Sequence, residues 1–450
     1  MVQMAVSPLP QWFEGSEYTH KVAACIMKYG PISRITLAQI LGLSQGAVSR
    51  ITSDLIYAGV IEETPMPSGK AGKLPKGFVQ KENTERRGRP QTGLQVIANA
   101  RSFVGMKINA THISAVAVNA IGQIITGCHD LEIEDASPQT VVALIKQLTT
   151  DCSDEAEMAG WPKPCAVGIS LGGHIVDGTV VTFAPFMHWS QPVELSVMVR
   201  EATGLPTGIY NDIDSLVVDA CLFGPGVGLD SFAVLTFGAG VGYSLTFNGE
   251  LVSCPDKSYG LVGHILVDPD GPRCVSGHKG CAQCLSDNSI AAEYSQIIGH
   301  PASFDDFARD ARANKPQATN LVNRTCFRLG TLVATIANLA MPDKIMIAGE
   351  SSFIAKFGID DLRNGINMYR HSQAAPVDFE IPDHDWALWA KAAASQAIRQ
   401  YVGGLIAIDC LAIQKILPFV QGGFLLCDYG LFSALDGRKH GLEKDCLPNR

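Results

Sequence analysis

Residues 32–59 constrain the chain more than any other stretch, because their apolar spacing and their punctuation agree on two short helices joined by a tight turn. Leu37, Ile40 and Leu41 fall on one face of a first helix, Gly42 supplies the turn, and Ser44 is a natural N-cap for a second. On that second helix Ala47, Val48, Ile51 and Leu55 recur at helical spacing and face inward. Gln45, Gly46, Ser49 and Arg50 are left outward near its start, and Gly59 ends it. Such a pair is either a plain amphipathic hairpin or a helix-turn-helix whose second helix enters a major groove.

The residues downstream favour the helix-turn-helix. Val60-Ile61-Glu62-Glu63 reads as a wing strand and Gly93-Leu94-Gln95-Val96-Ile97 as its closing partner. Between them, Lys70, Lys73, Lys76, Lys81, Arg86, Arg87 and Arg89 stand against only Glu82 and Glu85, with few large apolar residues. A basic stretch of this kind can be a solvated linker. Here it ends in Arg87-Gly88-Arg89-Pro90, two arginines with nothing bulky between them to oppose insertion into a narrow, A·T-rich minor groove. The expected DNA contacts are therefore Ser44, Gln45, Gly46, Ser49 and Arg50 together with Arg87, Gly88, Arg89 and Pro90. The expected partner is a double-stranded operator with A·T-rich flanks.

Charge is partitioned in the same sense. Residues 1–100 carry 11 Lys+Arg and 7 Asp+Glu, a net +4, whereas the rest carries 24 and 37, a net −13. Only the N-terminal part suits a polyanion. A chain of 450 residues exceeds one core and implies two or three domains. No signal peptide and no apolar run long enough to span a bilayer are visible, so the expected location is cytoplasmic. In that setting most of the thirteen cysteines, such as Cys25, Cys165, Cys221 and Cys326, read as small buried hydrophobes. Cys274, Cys281 and Cys284, three within eleven residues, are the exception.

Beyond the wing, residues 102–108 and 113–118 read as a hairpin that 123–125 continues, and 141–148 as a helix. Strands at 165–170, 208–212, 232–237 and 344–348 each run into glycine or into Asn211-Asp212. Hairpins first and then strands alternating with helices predict a mixed α/β sheet with its site at the strand ends.

From about residue 17 to about residue 404 the chain resembles the transcriptional regulators of the ROK group (repressors, open reading frames and sugar kinases). The motifs that carry the resemblance are Gly260-Leu261-Val262-Gly263-His264, the run from Asp268 to Cys281, the helix-turn-helix, Arg-Gly-Arg-Pro, the Asn-Asp pair and the glycine-rich turns, all in the family's order. The resemblance implies an α/β protein with an N-terminal winged helix-turn-helix followed by a two-lobed, actin-like (ribonuclease H-like) ROK domain. The corresponding boundaries are 17–96 for the DNA-binding domain, 97–212 plus about 385–404 for lobe 1, and 213–384 for lobe 2 with its zinc segment. Residues 405–450 form a tail outside the resemblance, with helical periodicity over 405–420 and a disordered composition over 436–450.

The family pattern G-E-h-G-H, then C-x-C-G-x-x-G-C-x-E, holds a structural zinc. His264, Cys274 and Cys281 match three ligands, and the second cysteine of C-x-C is Ser276, a poor zinc ligand. The fourth place falls to Cys284, to His278 or to water, or the site is weakened; the expected set is His264, Cys274, Cys281 and Cys284. In the family's kinases D-x-G-G-T lets backbone N–H groups approach phosphate. The aligned run here is Lys107-Ile108-Asn109-Ala110-Thr111, with acid and glycines replaced, while the second turn, Gly238 to Gly242, is intact. The family's sugar ligands map onto Asn211, Asp212 and His264. Of its two glutamates, one is Leu261 and the other Gln283, and Gln283 completes the expected effector set. Trp189 matches a loop near the pocket mouth, where core packing explains it equally well. The resemblance thus implies a non-enzymatic regulator, a repressor of carbohydrate genes acting as a homodimer or tetramer under a sugar, a sugar phosphate or a protein partner. The competing expectation is an ATP-dependent sugar kinase with an accessory DNA-binding head.

Overall fold

A computed structural model describes residues 9–66, 73–78, 92–254 and 256–403. The Arg87–Pro90 tetrapeptide and residues 405–450 lie outside the described residues. The chain opens with three helices, α1 (Glu17–Tyr29), α2 (Arg34–Leu41) and α3 (Gln45–Tyr57), followed by an antiparallel ribbon of β1 (Ile61–Pro65) and β2 (Thr92–Val96). Each helix starts at a serine whose hydroxyl accepts a backbone N–H of its first turn: Ser16, Ser33 and Ser44. Each such cap is worth about 1 kcal/mol. Gly42 adopts φ 64°, the left-handed conformation that lets α2 stop and α3 restart at an angle.

The next segment builds β3 (Ser102–Ile108), β4 (His112–Asn119), β5 (His129–Glu132), α4 (Pro138–Met158), β6 (Pro164–Leu171), the small hairpin β7 (His174–Val176) and β8 (Val180–Phe183), α5 (Leu195–Thr203) and β9 (Thr207–Asn211). After α6 (Asp212–Phe223) come β10 (Ser231–Phe237), β11 (Val241–Phe247), β12 (Glu250–Leu251), α7 (Asp287–Ile298), α8 (Phe304–Arg312), α9 (Pro316–Leu339), β13 (Lys344–Ala348), α10 (Phe353–Phe357), α11 (Ile359–Met368), β14 (Phe379–Glu380) and α12 (Trp386–Gly403). The two five-stranded sheets, β5-β4-β3-β6-β9 and β12-β11-β10-β13-β14, share one strand order, an antiparallel hairpin extended by parallel strands. The chain therefore builds the same lobe twice.

At the edge of the first sheet residues 123–125 continue the hairpin, but briefly. Ile124 bridges Val118, Asn119 N–H donates to Gln123 O and Ile125 N–H to Ala117 O (both 2.9 Å), and β5 takes over the pairing with the other end of β4. Asn119 makes the turn between them, its Oδ1 accepting the N–H groups of Ile121 (3.1 Å) and Gln123 (3.0 Å).

Between the sheets, α6 packs on β10 and β11, α12 packs on β3, β4 and β6, and the two helices pack on each other. Gly105 and Gly168 make this possible: a Cβ there would lie 2.1 Å from Ala390 O and 2.2 Å from Ala393 O. The head is not a separate bead. Val22, Ile26, Leu37, Val48, Leu55 and Ile61 belong to one apolar cluster with Val217, Ala220, Ala397 and Tyr401 of α6 and α12. The His20 ring bonds Val402 O (2.8 Å), Trp12 N–H donates to Tyr401 O (2.8 Å), and Lys76 pairs with Asp343 of the second lobe.

Candidate functional site

On the head, the first turns of α3 carry the residues expected at DNA. Ser44, Gln45, Gly46, Ser49 and Arg50 are all exposed, while Val48 and Leu55 are buried beneath them. A Cβ at Gly46 would meet nothing within 4 Å, so this patch of helix presents bare backbone to whatever approaches. Arg34 is held off this face by Glu63 (2.7 Å) and Thr52 (3.0 Å).

Two turns at the strand ends are occupied by the chain's own groups. At the turn after β3, Asn109 Oδ1 accepts the N–H groups of Thr111 (2.9 Å) and His112 (2.8 Å). The amides that a glycine turn would offer to phosphate are thus consumed by a side chain of the turn itself. In the second turn the glycines serve packing. The Cβ positions of Gly238 and Gly242 lie 2.3 Å from Glu350 Oε2 and 2.0 Å from Ile213 Cδ1, so a carboxylate fills what an anion would enter. Asp212 is paired with Lys107 at 2.5 Å, and the Lys107 ammonium also lies 5.3 Å from the Trp389 ring centroid.

Asn211 is engaged as well. Its Oδ1 caps α6 by accepting from Ile213 N and Asp214 N, and its Nδ2 donates to Gly173 O (3.1 Å). Gln283 packs on the turn before His264, its Nε2 standing 2.4 Å from where a Gly263 Cβ would be. Trp189 Nε1 donates to Ala136 O (2.6 Å) and the ring packs on the first lobe's core, so the packing account of this residue holds.

His264 lies in a cluster with Cys274, His278 and Cys281, one donor atom of each within 4.8 Å of all the others. His264 Nδ1 stands 3.0 Å from His278 Nδ1, 3.9 Å from Cys274 Sγ and 4.0 Å from Cys281 Sγ. Tetrahedral Zn²⁺ with N and S ligands at about 2.0–2.3 Å needs donor separations of roughly 3.3–3.8 Å, and two imidazoles with two thiolates are a set it selects. A tight hairpin closed by Arg273 and Lys279, with Gly277 at φ 85°, brings Cys274 and His278 together. Desolvation works against the Cys274 thiolate, but backbone N–H groups of His278 and Ser276 and the Cys281 thiol outweigh it and hold the thiol below its usual range.

The expectation that Cys284 completes this set is corrected. Cys284 sits one turn beyond Cys281 with its thiol in the apolar core beside Ala282 and Leu285, where burial pushes it up to about 12. His278 is the fourth member of the cluster.

A separate cleft of about 230 Å³ opens where β7, β9, α6 and α12 meet residues 253–258. It takes in Asn211 but not Asp212, His264 or Gln283. Sequence reading missed it, because its walls come from four distant segments. Among the described residues, no helix is long and apolar enough to cross a membrane.

The sequence model of the ROK family matches residues 103–384. The chain is 23% identical over 341 residues to the DNA-binding transcriptional repressor Mlc of Escherichia coli (strain K12), spanning 73% of this chain and 79% of that protein. It is 21% identical over 324 residues to the xylose repressor of Bacillus spizizenii (strain ATCC 23059 / NRRL B-14472 / W23), spanning 72% and 79%. A solved ROK family transcriptional regulator, described as a homolog of the E. coli MLC protein, superposes with TM-score 0.65 at 22% identity, covering 86% of this chain and 98% of that one.

Proposed function

The chain belongs to the ROK family, and on that premise we propose that it is a sequence-specific DNA-binding repressor of carbohydrate genes whose kinase-like domain senses an effector and does no phosphoryl transfer. The observation that carries this reading is the winged helix-turn-helix, whose α3 leaves Gln45, Gly46, Ser49 and Arg50 free at its N-terminal end. The pairing of Lys107 with Asp212 and the capped amides at Asn109 argue against the kinase alternative. The relatives named as repressors, one of them for xylose, support both the repression and the sugar.

In this reading α3 enters a major groove and Arg87 and Arg89 enter the flanking minor groove. Two heads read a two-fold operator, which calls for a homodimer or a dimer of dimers. Zn²⁺, held by His264, Cys274, His278 and Cys281, would cross-link the loop from 264 to 281 and fix it beside the strand ends. The effector acts through the lobes: the head shares its core with α6 and α12, and Lys76 ties it to the second lobe. An effector that favours one lobe arrangement therefore shifts the heads, provided its affinities for the two arrangements differ.

The test is binding of the full chain to DNA from upstream of its own gene, titrated with salt and competitor. Competitor-resistant binding that Arg89→Ala weakens chiefly on A·T-flanked sites supports the reading. ATP-dependent phosphorylation of a hexose, with no specific DNA binding, would replace it with the kinase.

A further inference from the structure

We propose that Cys274 and Cys281 form a redox pair: hydrogen peroxide converts them to a disulfide, and the cluster of His264, Cys274, His278 and Cys281 then releases its metal. The chemistry rests on the zinc reading given above, and its consequence for operator binding rests on the regulator reading.

Proximity is the first support. The two Sγ atoms lie within 4.8 Å of each other and stand 3.9 Å and 4.0 Å from His264 Nδ1. A disulfide needs them at about 2.05 Å, so one side of the pair has to give. The base of the loop does not. Val267 and Asp268 N–H both donate to Gly280 O (2.9 and 3.0 Å), Gly280 N–H donates to Pro272 O (2.8 Å), and Ala282 N–H donates to Ile265 O (2.8 Å). Buried Arg328 holds Asp268 (2.8 Å) and pairs in turn with Glu293 (2.7 Å). Cys281 sits in this pinned base. Cys274 sits on the hairpin tip, where Val275 is fully exposed and a Cβ at Gly277 would meet nothing within 4 Å. Rotation of the Cys274 side chain with a small shift of that tip closes the gap.

Exposure assigns the two roles. Cys274 is half-buried, whereas Cys281 is only 3% exposed. A thiolate has to meet the oxidant to react, so Cys274 attacks and Cys281 resolves. The Cys274 sulfur takes one oxygen of the peroxide, the O–O bond breaks and hydroxide leaves, giving a sulfenic acid. The Cys281 thiolate then displaces a second hydroxide from that sulfur as the S–S bond forms. The peroxide has accepted the electron pair and, with two protons, ends as two waters. The protein is left with two imidazoles, half the donors that close a tetrahedral zinc site, and the metal is released. Ser276 offers no thiol between the two cysteines, and Cys284 points into the core outside the cluster, so one pairing is available.

Trypsin separates the two cysteines, cutting after Arg273, Lys279 and Arg309. The zinc-loaded full chain is treated with hydrogen peroxide, alkylated and digested without reductant. The expected product is peptide 274–279 joined to peptide 280–309, with fragmentation placing the bond at Cys281. About one zinc is released per disulfide formed, read with a chromophoric chelator, and a dithiol with added zinc restores both thiols and metal. In Cys281→Ser the resolving thiol is gone, so dimedone, which traps sulfenic acids, labels Cys274. Zinc retained after the exposed Cys254 has been oxidised overturns the proposal. So does peptide 274–279 recovered alkylated and free while a bond joins Cys281 to Cys284, or dimedone label that avoids Cys274. A chain that holds no zinc after loading overturns it as well. Operator binding by the untreated chain tests the regulator reading by itself, so the two fail separately.

Discussion

Lys107 Nζ lies 2.5 Å from Asp212 Oδ2, joining two residues 105 positions apart whose side chains are 6% and 12% exposed. The cation, on β3, neutralises the carboxylate that opens α6. Breaking a buried pair by removing one partner leaves an uncompensated charge, at about 3–5 kcal/mol. Lys107→Met should destabilise the chain by that order, and Lys107→Met with Asp212→Asn should recover most of it. Urea denaturation of the two single variants and the double variant measures the coupling. ADP release from ATP and a hexose by the wild-type chain, or by Lys107→Asp, would contradict the reading, because Asn109 still occupies the turn amides.

Gly46 separates stability from function on one residue. Its Cβ position is open and its φ is ordinary, so Gly46→Ala meets no steric penalty and should stabilise α3 by about 0.5–1 kcal/mol. If DNA approaches this bare stretch of helix, the same methyl weakens operator binding. A higher thermal midpoint with unchanged affinity would show that α3 meets DNA elsewhere.

The metal cluster predicts opposite outcomes for two neighbours. His278→Ala should lower the zinc retained per chain, read by elemental mass spectrometry, and expose the loop from 264 to 281 to protease. Cys284→Ser should leave zinc content unchanged, since that thiol points into the core. Loss of zinc in Cys284→Ser with retention in His278→Ala would restore the set expected from sequence.

Asp287 gives stability a pH dependence of definite sign. Burial is the main cause that raises its carboxyl to about 6, with Glu350 and Asp305 adding to it and the Ser351 hydroxyl opposing. Between about pH 4 and pH 6 the folded chain keeps a proton that the unfolded chain has released, so this group's contribution falls as pH rises through that window and stays low above it. Asp287→Asn should therefore gain stability over the wild type at about pH 8 and be level with it at about pH 4. A difference in urea midpoint that is equal at both pH values removes Asp287 as the cause.

Sequence alone determined what depends on neighbours along the chain. Periodicity and the residues Gly42, Ser44 and Gly59 set the helix-turn-helix, because caps and turns are satisfied within a few positions. The same locality makes Asn211 readable as a helix cap. The β3–β4 hairpin and its brief continuation at 123–125 were legible from the apolar runs, whereas β5, half-exposed and polar, was not.

Tertiary structure alone decided the pairings that bridge long separations. That Lys107 meets Asp212, that His278 and not Cys284 faces His264, and that Gln396 closes a cleft with Lys257 all depend on how the two lobes and the crossed helices pack. The physical reason is that a buried charge or donor must find its partner wherever the packed chain brings one, and spacing in sequence does not encode that proximity.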